Sequence, residues 1–123
     1  MTGPTTDAAK AIYDAYVAKD RAVVERLIAD DFRFTSPLDN GLDRDSYLAI
    51  CWPNSANTEG FEIVHMVEHG AQVFVTYEGW SRQARFRNTE ILTIRDGKIA
   101  EVEVYFGWNV PHDVPTGEHR DRE

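Results

Sequence analysis

The sequence predicts an α+β fold in which helices lie over one face of an antiparallel β-sheet. In the first half of the chain, apolar residues recur at spacings of three and four, which is typical of amphipathic helices. From Phe61 onward they alternate with polar residues, as they do in strands. The chain has 123 residues, of which 42% are hydrophobic, so it is long enough and apolar enough for one domain with its own core.

Three helices are expected in the first half. Residues 1–6 are predicted to be a loose lead, with Thr6 capping a first helix that ends near Lys19. Asp20 and Asp43 are suitable caps for a second and a third helix. The expected buried positions are Ala9, Ile12, Tyr13, Tyr16 and Val17 in the first helix, Val23, Val24, Leu27 and Ile28 in the second, and Tyr47, Leu48, Ile50 and Cys51 in the third.

The strand predictions follow from alternation and turn residues. Residues 32–34 alternate as a short strand would, and residues 36–41 collect turn formers. Four longer strands are predicted at residues 61–67, 72–78, 84–95 and 98–106. The pair Asp96-Gly97 predicts a two-residue hairpin turn, and the polar residues 109–123 are expected to lie along the surface or to be flexible.

Composition and missing motifs narrow the function. Lys and Arg number 13 against 21 Asp and Glu, a net charge of −8 that disfavours nucleic acid and anionic membranes as partners. No apolar run approaches the ~20 residues of a membrane helix, and the N-terminus lacks the pattern of a signal peptide. With Cys51 as the only cysteine, a cytoplasmic location is expected.

Sequence motifs for cofactors are absent as well. There is no glycine-rich nucleotide loop, C-x-x-C or G-x-S-x-G, and His112 and His119 are too far apart to form a helical ligand pair. We therefore expect neither a cofactor nor a metal. Cys51 has no nearby cation in the sequence that would favour a thiolate, so any chemistry is expected to be acid–base chemistry in an apolar pocket.

Strand parity identifies an unusual inward-facing carboxylate. In the third long strand Phe86, Leu92 and Ile94 share the face that must form the core. Asn88 and Glu90 have the same parity, so they point under the helices. A carboxylate in that position must be hydrogen-bonded, have a raised pKa or line a wet cavity.

Other polar and aromatic residues are candidates for the same cavity. Parity places Tyr77 and Phe106 on the core face of their strands, whereas the direction of His65 stays undecided. Trp52 and Trp108 are core or rim aromatics that would also suit the wall of an apolar pocket.

Purely structural alternatives are open for these residues. Glu90 could bond Tyr16, Tyr77 or an arginine and do nothing else, and His65 could be a half-buried histidine without a function. On the opposite face of the sheet, cross-strand ion pairs are expected among Arg85, Arg87, Glu101 and Glu103. That face would be solvated or would form a dimer interface.

Residues 16–20 (YVAKD) and 27–32 (LIADDF), with the closing residues 96–102 (DGKIAEV) and 105–107 (YFG), resemble a known family. They are similar to the SnoaL-like polyketide cyclase and ketosteroid isomerase-like branch of the nuclear transport factor 2-like superfamily, over residues 7–108. The resemblance implies a single SnoaL-like domain whose curved sheet forms a cone around a deep apolar pocket. It also implies homodimers formed through the outer face of the sheet.

The resemblance assigns family roles to positions of this chain. The general-base aspartate of the isomerases falls at Ser36, and their oxyanion tyrosine falls at about Ile12, with Tyr16 one turn later on the same face. Their second oxyanion donor, a neutral acid, falls at Glu90. The catalytic aspartate of the cyclases falls at about Val104, so two of the family's acids are missing.

The leading hypothesis is a small enzyme that acts by acid–base catalysis on an apolar, carbonyl-bearing molecule, with Glu90 as acid or base. The other candidate catalytic residues are Tyr16 and the reserve bases Asp39 and His65; the candidate ligand-binding residues are Ile12, Ser36, Trp52, Tyr77, Asn88, Val104, Phe106 and Trp108. The alternatives are a non-catalytic domain that binds an apolar ligand and a dimeric scaffold module.

Overall fold

The fold described by a computed structural model is α+β, which confirms the predicted class. The model describes residues 4–117, so the outermost ends that we expected to be loose, residues 1–3 and 118–123, lie outside the described residues. The elements are α1 (Pro4–Ala18), α2 (Arg21–Leu27), β1 (Ile28–Ser36), β2 (Asp39–Leu42), α3 (Arg44–Ile50), a short 3-10 helix (Trp52–Asn57), β3 (Gly60–His69), β4 (Gln72–Trp80), β5 (Arg85–Arg95) and β6 (Lys98–Asn109).

The six strands form one curved sheet in the order β2-β1-β6-β5-β4-β3. Strands β3 to β6 are the predicted antiparallel meander. Strand β1, however, pairs with β6 in parallel, so the prediction of a wholly antiparallel sheet is wrong at this pair. Alternation marks which residues share a face of a strand, but it carries no information about the partner of a strand that is distant along the chain.

Several element boundaries differ from the prediction. Ile28 opens β1 rather than ending the second helix, because its backbone is extended. The predicted turn at residues 36–41 is tighter, so that Asp39 already pairs with Ser36 and begins the unpredicted strand β2. Helix α1 already includes residues 4–6, which were expected to be a loose lead, and β6 runs three residues beyond the predicted end.

The predicted caps at Asp20 and Asp43 and the predicted hairpin are confirmed, whereas Thr6 lies inside α1 and is not its cap. The Asp20 carboxylate accepts a hydrogen bond from the Val23 amide at 3.3 Å, and the Asp43 carboxylate accepts one from the Ser46 amide at 2.8 Å. Both bonds satisfy amides that the first turn of a helix leaves unpaired. Asp96 and Gly97 have φ of 54° and 76°, the two positive values that a type I′ hairpin turn requires.

The core lies between the helices and one face of the sheet. The largest fully buried side chains are Phe32, Ile28, Leu92, Ile99, Val24, Val73 and Val75. On the opposite face, Glu78 pairs with Arg85 at 2.7 Å and with Arg87 at 2.6 Å. The expected pairing of these arginines with Glu101 and Glu103 is wrong, because the register places Glu78 directly opposite Arg87. No helix among the described residues is both long enough and apolar enough to span a bilayer.

Candidate functional site

A cavity of about 250 Å³ lies between the helices and the inner face of the sheet. The structure brings most of the predicted site residues into its wall. Those that line it are the candidate catalytic residues Tyr16, Asp39 and Glu90 and the candidate ligand-binding residues Ile12, Ser36, Tyr77, Asn88, Val104 and Phe106. The residues that strand parity selected and those that the family positions selected therefore line the same cavity.

His65 lies outside this cavity. The register of β3 against β4 shifts between Ile63 and His65, so Val64 is an extra residue in β3. The bulge reverses the parity of the strand: Ile63 is opposite the inward Tyr77, but His65 is opposite the outward Thr76. The imidazole is exposed on the outer face, and the prediction of His65 as a reserve base for the cavity is therefore wrong.

Neither candidate tryptophan lines the cavity. Trp52 is buried behind Tyr16, with the two rings edge to face at a centroid distance of 5.0 Å. Trp108 is half-exposed against His112, and it lines a second, more open depression of about 460 Å³ that shares Phe86, Asn88 and Phe106 with the cavity. Trp52 therefore supports a wall residue, and Trp108 lies beside the cavity rather than in its wall.

Glu90 is the centre of a hydrogen-bond network on the cavity wall. The Tyr13 hydroxyl donates to one carboxyl oxygen at 2.9 Å, and the Tyr77 hydroxyl donates to the other at 2.7 Å. The Asn88 amide group donates to the Tyr77 oxygen at 3.3 Å. The side-chain oxygen of Asn88 in turn accepts the Gly107 amide at 3.2 Å, so the main chain of β6 fixes the orientation of the network.

Gly107 occupies a bulge that only glycine fits. Arg87 is opposite Trp108 and Asn88 is opposite Phe106, which leaves Gly107 as the extra residue of β6. A Cβ atom at Gly107 would lie 2.2 Å from the main-chain oxygen of Arg87. The close approach of the two strands therefore depends on glycine at this position.

The site holds a carboxyl group that resists ionisation. Burial raises the pKa of Glu90 above its usual value, and the hydrogen bonds from Tyr77 and Tyr13 offset this only in part. Burial, followed by the negative charge of Glu90, also raises the pKa of both phenols. Because their pKa values are raised, the two tyrosines stay protonated and act as hydrogen-bond donors to Glu90.

A second polar pair lines the same cavity. The hydroxyls of Tyr16 on α1 and Tyr47 on α3 are hydrogen-bonded to each other, and burial is the main cause that raises the pKa of each. The Tyr47 ring also packs 4.9 Å from Phe32 and 5.0 Å from Phe34. Glu90 is bonded by Tyr13, one turn earlier in α1, rather than by Tyr16. The signal that could have identified Tyr13 is that a phenol in a buried helical stripe needs a hydrogen-bond partner.

Ser36, Leu38 and Asp39 form the outer end of the cavity, where Leu38 is largely exposed. The Ser36 hydroxyl donates to the Asp39 carboxylate at 3.3 Å and accepts the Leu38 amide at 3.1 Å. Cys51 lines the same region, and burial, with a smaller contribution from the charge of Asp39, raises its pKa to about 11. Its thiol is therefore not an activated nucleophile.

Within residues 4–117, no group of three or more His, Cys, Asp or Glu side chains could hold a metal ion.

The helix-covered curved sheet is the α+β fold of nuclear transport factor 2-like proteins. Residues 9–102 match the SnoaL-like domain family, and the chain belongs to that family. No curated protein matches the sequence.

Solved structures agree on the fold. A protein of unknown function from Burkholderia xenovorans superimposes with a TM-score of 0.76 at 20% identity, covering 92% of this chain and 88% of that one. A Kribbella flavida protein provisionally described as a ketosteroid isomerase gives 0.75 at 17% identity, with coverage of 98% and 89%. An epoxide hydrolase from Mycobacterium tuberculosis, described as LEH-like, gives 0.67 at 21% identity, with coverage of 85% and 83%. At these identities the likeness shows the fold alone.

Proposed function

We propose that this SnoaL-like domain binds a small, mainly apolar carbonyl compound and that Glu90 moves a proton on it. The observation that carries the proposal is the position of Glu90: an acid with a raised pKa, fixed between two phenols on the wall of a mainly apolar cavity. Such a pKa brings a carboxyl group closer to the operating pH, which favours general acid–base catalysis. The cavity, about 250 Å³, adjoins the more open depression of about 460 Å³, and together they provide the volume of a usual small-molecule site, ~300–1,000 Å³.

The proposed reaction is a proton transfer next to the carbonyl group. The Glu90 carboxylate takes a proton from the α-carbon, and the electron pair of that C–H bond moves into the carbonyl to give an enolate. Tyr16 and Tyr47 line the same space, and whichever hydroxyl accepts in their mutual hydrogen bond keeps its own O–H to donate to the developing oxyanion. Glu90 then returns its proton to carbon, at the same or a conjugated position, so that the isomerisation is balanced without a cofactor.

The hydrogen bonds of the two phenols around Glu90 can change with its protonation state, and this change reaches the ligand. While Glu90 is ionised, both Tyr13 and Tyr77 donate to it. When Glu90 takes a proton, one of its oxygens becomes a donor, so one phenol can turn its own O–H toward an oxygen of the ligand. Proton transfer to Glu90 is therefore matched by a new donor at the cavity wall.

A non-catalytic ligand-binding domain is the second candidate. Both carboxyl oxygens of Glu90 already have phenol partners, and the family positions for further acids hold Ser36 and Val104. These observations fit a pocket that holds a ligand without transforming it. A homodimer through the outer face of the sheet remains a proposal of its own, because that face carries Glu78 with Arg85 and Arg87 in ion pairs that could equally lie in solvent.

Hydrogen exchange at carbon tests the proposed function without knowledge of the natural substrate. Small cyclic ketones are incubated with the protein in heavy water, and incorporation of deuterium at the α-carbon is followed by NMR. We expect exchange faster than in buffer alone for the ketones that bind. Binding without any acceleration would contradict catalysis and favour the ligand-binding alternative.

A further inference from the structure

The cavity wall contains acids but no bases. Asp39 and Glu90 both line it, whereas no Lys, Arg or His within residues 4–117 does. The nearby Arg44 donates to main-chain oxygens of Ile28 and Glu25, and the exposed Lys19 donates to the main-chain oxygen of Thr58 at the rim. The described residues of the cavity wall therefore supply no cation of their own for a carboxylate or phosphate of a ligand.

Aromatic side chains make up much of the remaining wall. Eight line the cavity, four of them phenylalanines: Phe34, Phe61, Phe86 and Phe106. The faces of such rings carry partial negative charge and attract cations, more strongly where water is excluded. Rings and carboxyl groups thus contribute potential of the same sign, which repels anions and favours a positively charged group.

Asp39 is the carboxylate that is free to meet such a group. Its one hydrogen bond comes from the Ser36 hydroxyl, and none of the ion pairs among residues 4–117 includes it. It lies at the outer end of the cavity beside the exposed Leu38. Because Asp39 and Glu90 line the same cavity, one ligand can lie against both.

We propose that the substrate of this site carries a protonated amine that lies against Asp39, while its uncharged carbonyl end faces Glu90. The position of the carbonyl rests on the proposed function, but the preference for an amine rests on the charge of the cavity alone. A carboxylate or phosphate in the same place would lose its hydration and meet like charge with no partner. The site therefore takes amino ketones or related amines rather than acids.

Three ligands with one skeleton test this inference: 3-phenylpropylamine, 3-phenylpropan-1-ol and 3-phenylpropanoate. Binding is followed near neutral pH by calorimetry, or by the fluorescence of Trp52, whose ring touches the cavity residue Tyr16. We expect the amine to bind about two- to fivefold more tightly than the alcohol, the effect of a partly exposed ion pair. The propanoate should bind at least about tenfold more weakly than the alcohol.

Two variants with the same change in net charge test whether Asp39 causes the preference for the amine. Asp39→Asn should remove the preference for the amine over the alcohol. Asp45→Asn changes the net charge equally, but it replaces an exposed residue outside the cavity, so it should keep the preference.

Equal binding of the propanoate and the alcohol, or an amine preference that survives Asp39→Asn, would overturn the inference. Because these assays measure binding, a failure of catalysis alone would appear as an intact charge preference without α-carbon exchange.

Discussion

Replacement of Glu90 by glutamine should slow α-carbon exchange by about 10²- to 10⁴-fold, the usual contribution of a general acid or base. The amide cannot accept the proton, although it has nearly the shape of the acid. Its oxygen can still accept the hydroxyl of Tyr13 or Tyr77, and the cavity keeps its volume. Rates for the wild type and Glu90→Gln on the same bound ketone give the effect directly.

Two comparisons separate chemistry from binding and folding. Affinity for a neutral ketone should change by no more than a few-fold in Glu90→Gln, because hydrogen bonds to the network can be retained. His65→Gln, on the exposed outer face, should exchange at the wild-type rate. An unchanged rate in Glu90→Gln would remove Glu90 from the mechanism.

Phe32→Ala should lower the free energy of unfolding by about 3–5 kcal/mol. Phe32 is 1% exposed in β1, and its ring packs 4.9 Å from that of Tyr47. The substitution removes buried apolar surface and leaves a hole that rigid strands cannot close. Since small domains are typically stable by ~5–15 kcal/mol, this is a large fraction of the total. Urea denaturation followed by circular dichroism measures the loss.

Phe74→Ala is the matched control for that loss. Phe74 lies on the outer face of β4 opposite Val67 and Ile91, and it is only partly buried. The same chemical change there should cost much less, because the side chain keeps contact with water in the folded state. Equal losses in the two variants would contradict the position of the core on the helix-covered face.

The local features of the fold were predictable because they depend on neighbours in sequence. Periodicity identified the helical pair and the meander, and the caps at Asp20 and Asp43 and the Asp96-Gly97 turn were predicted correctly. The parallel pairing of β1 with β6 was not predictable in this way, since it joins two strands that are far apart along the chain.

The candidate site, like the fold, was predictable only where it depends on the local sequence pattern. Parity placed Glu90 and Tyr77 on the inner face, because β4 and β5 pair without a shift in register. It could not place His65, because a single extra residue in β3 reverses the alternation. Tyr13 was assigned to the core as one residue of a helical stripe, and its bond to Glu90 depends on the packing of α1 against β5.

The state of Glu90 also determines how stability changes with pH. A pKa raised by folding means that the folded protein binds this proton more tightly than the unfolded chain does. The contribution of Glu90 to stability is therefore most favourable below its usual pKa of 4.5, and it declines as the pH rises from there through the raised value. The stability of Glu90→Gln should not show this decline as the pH rises.

The central claim, a proton-transferring acid enclosed in the cavity, is tested most directly by an NMR titration of Glu90. Side-chain carboxyl carbons are labelled with carbon-13, and the Glu90 signal is assigned by its absence from Glu90→Gln. Burial of the carboxyl group predicts a midpoint above 4.5. A midpoint at or below 4.5 would show an ordinary or stabilised carboxylate, and it would contradict the account.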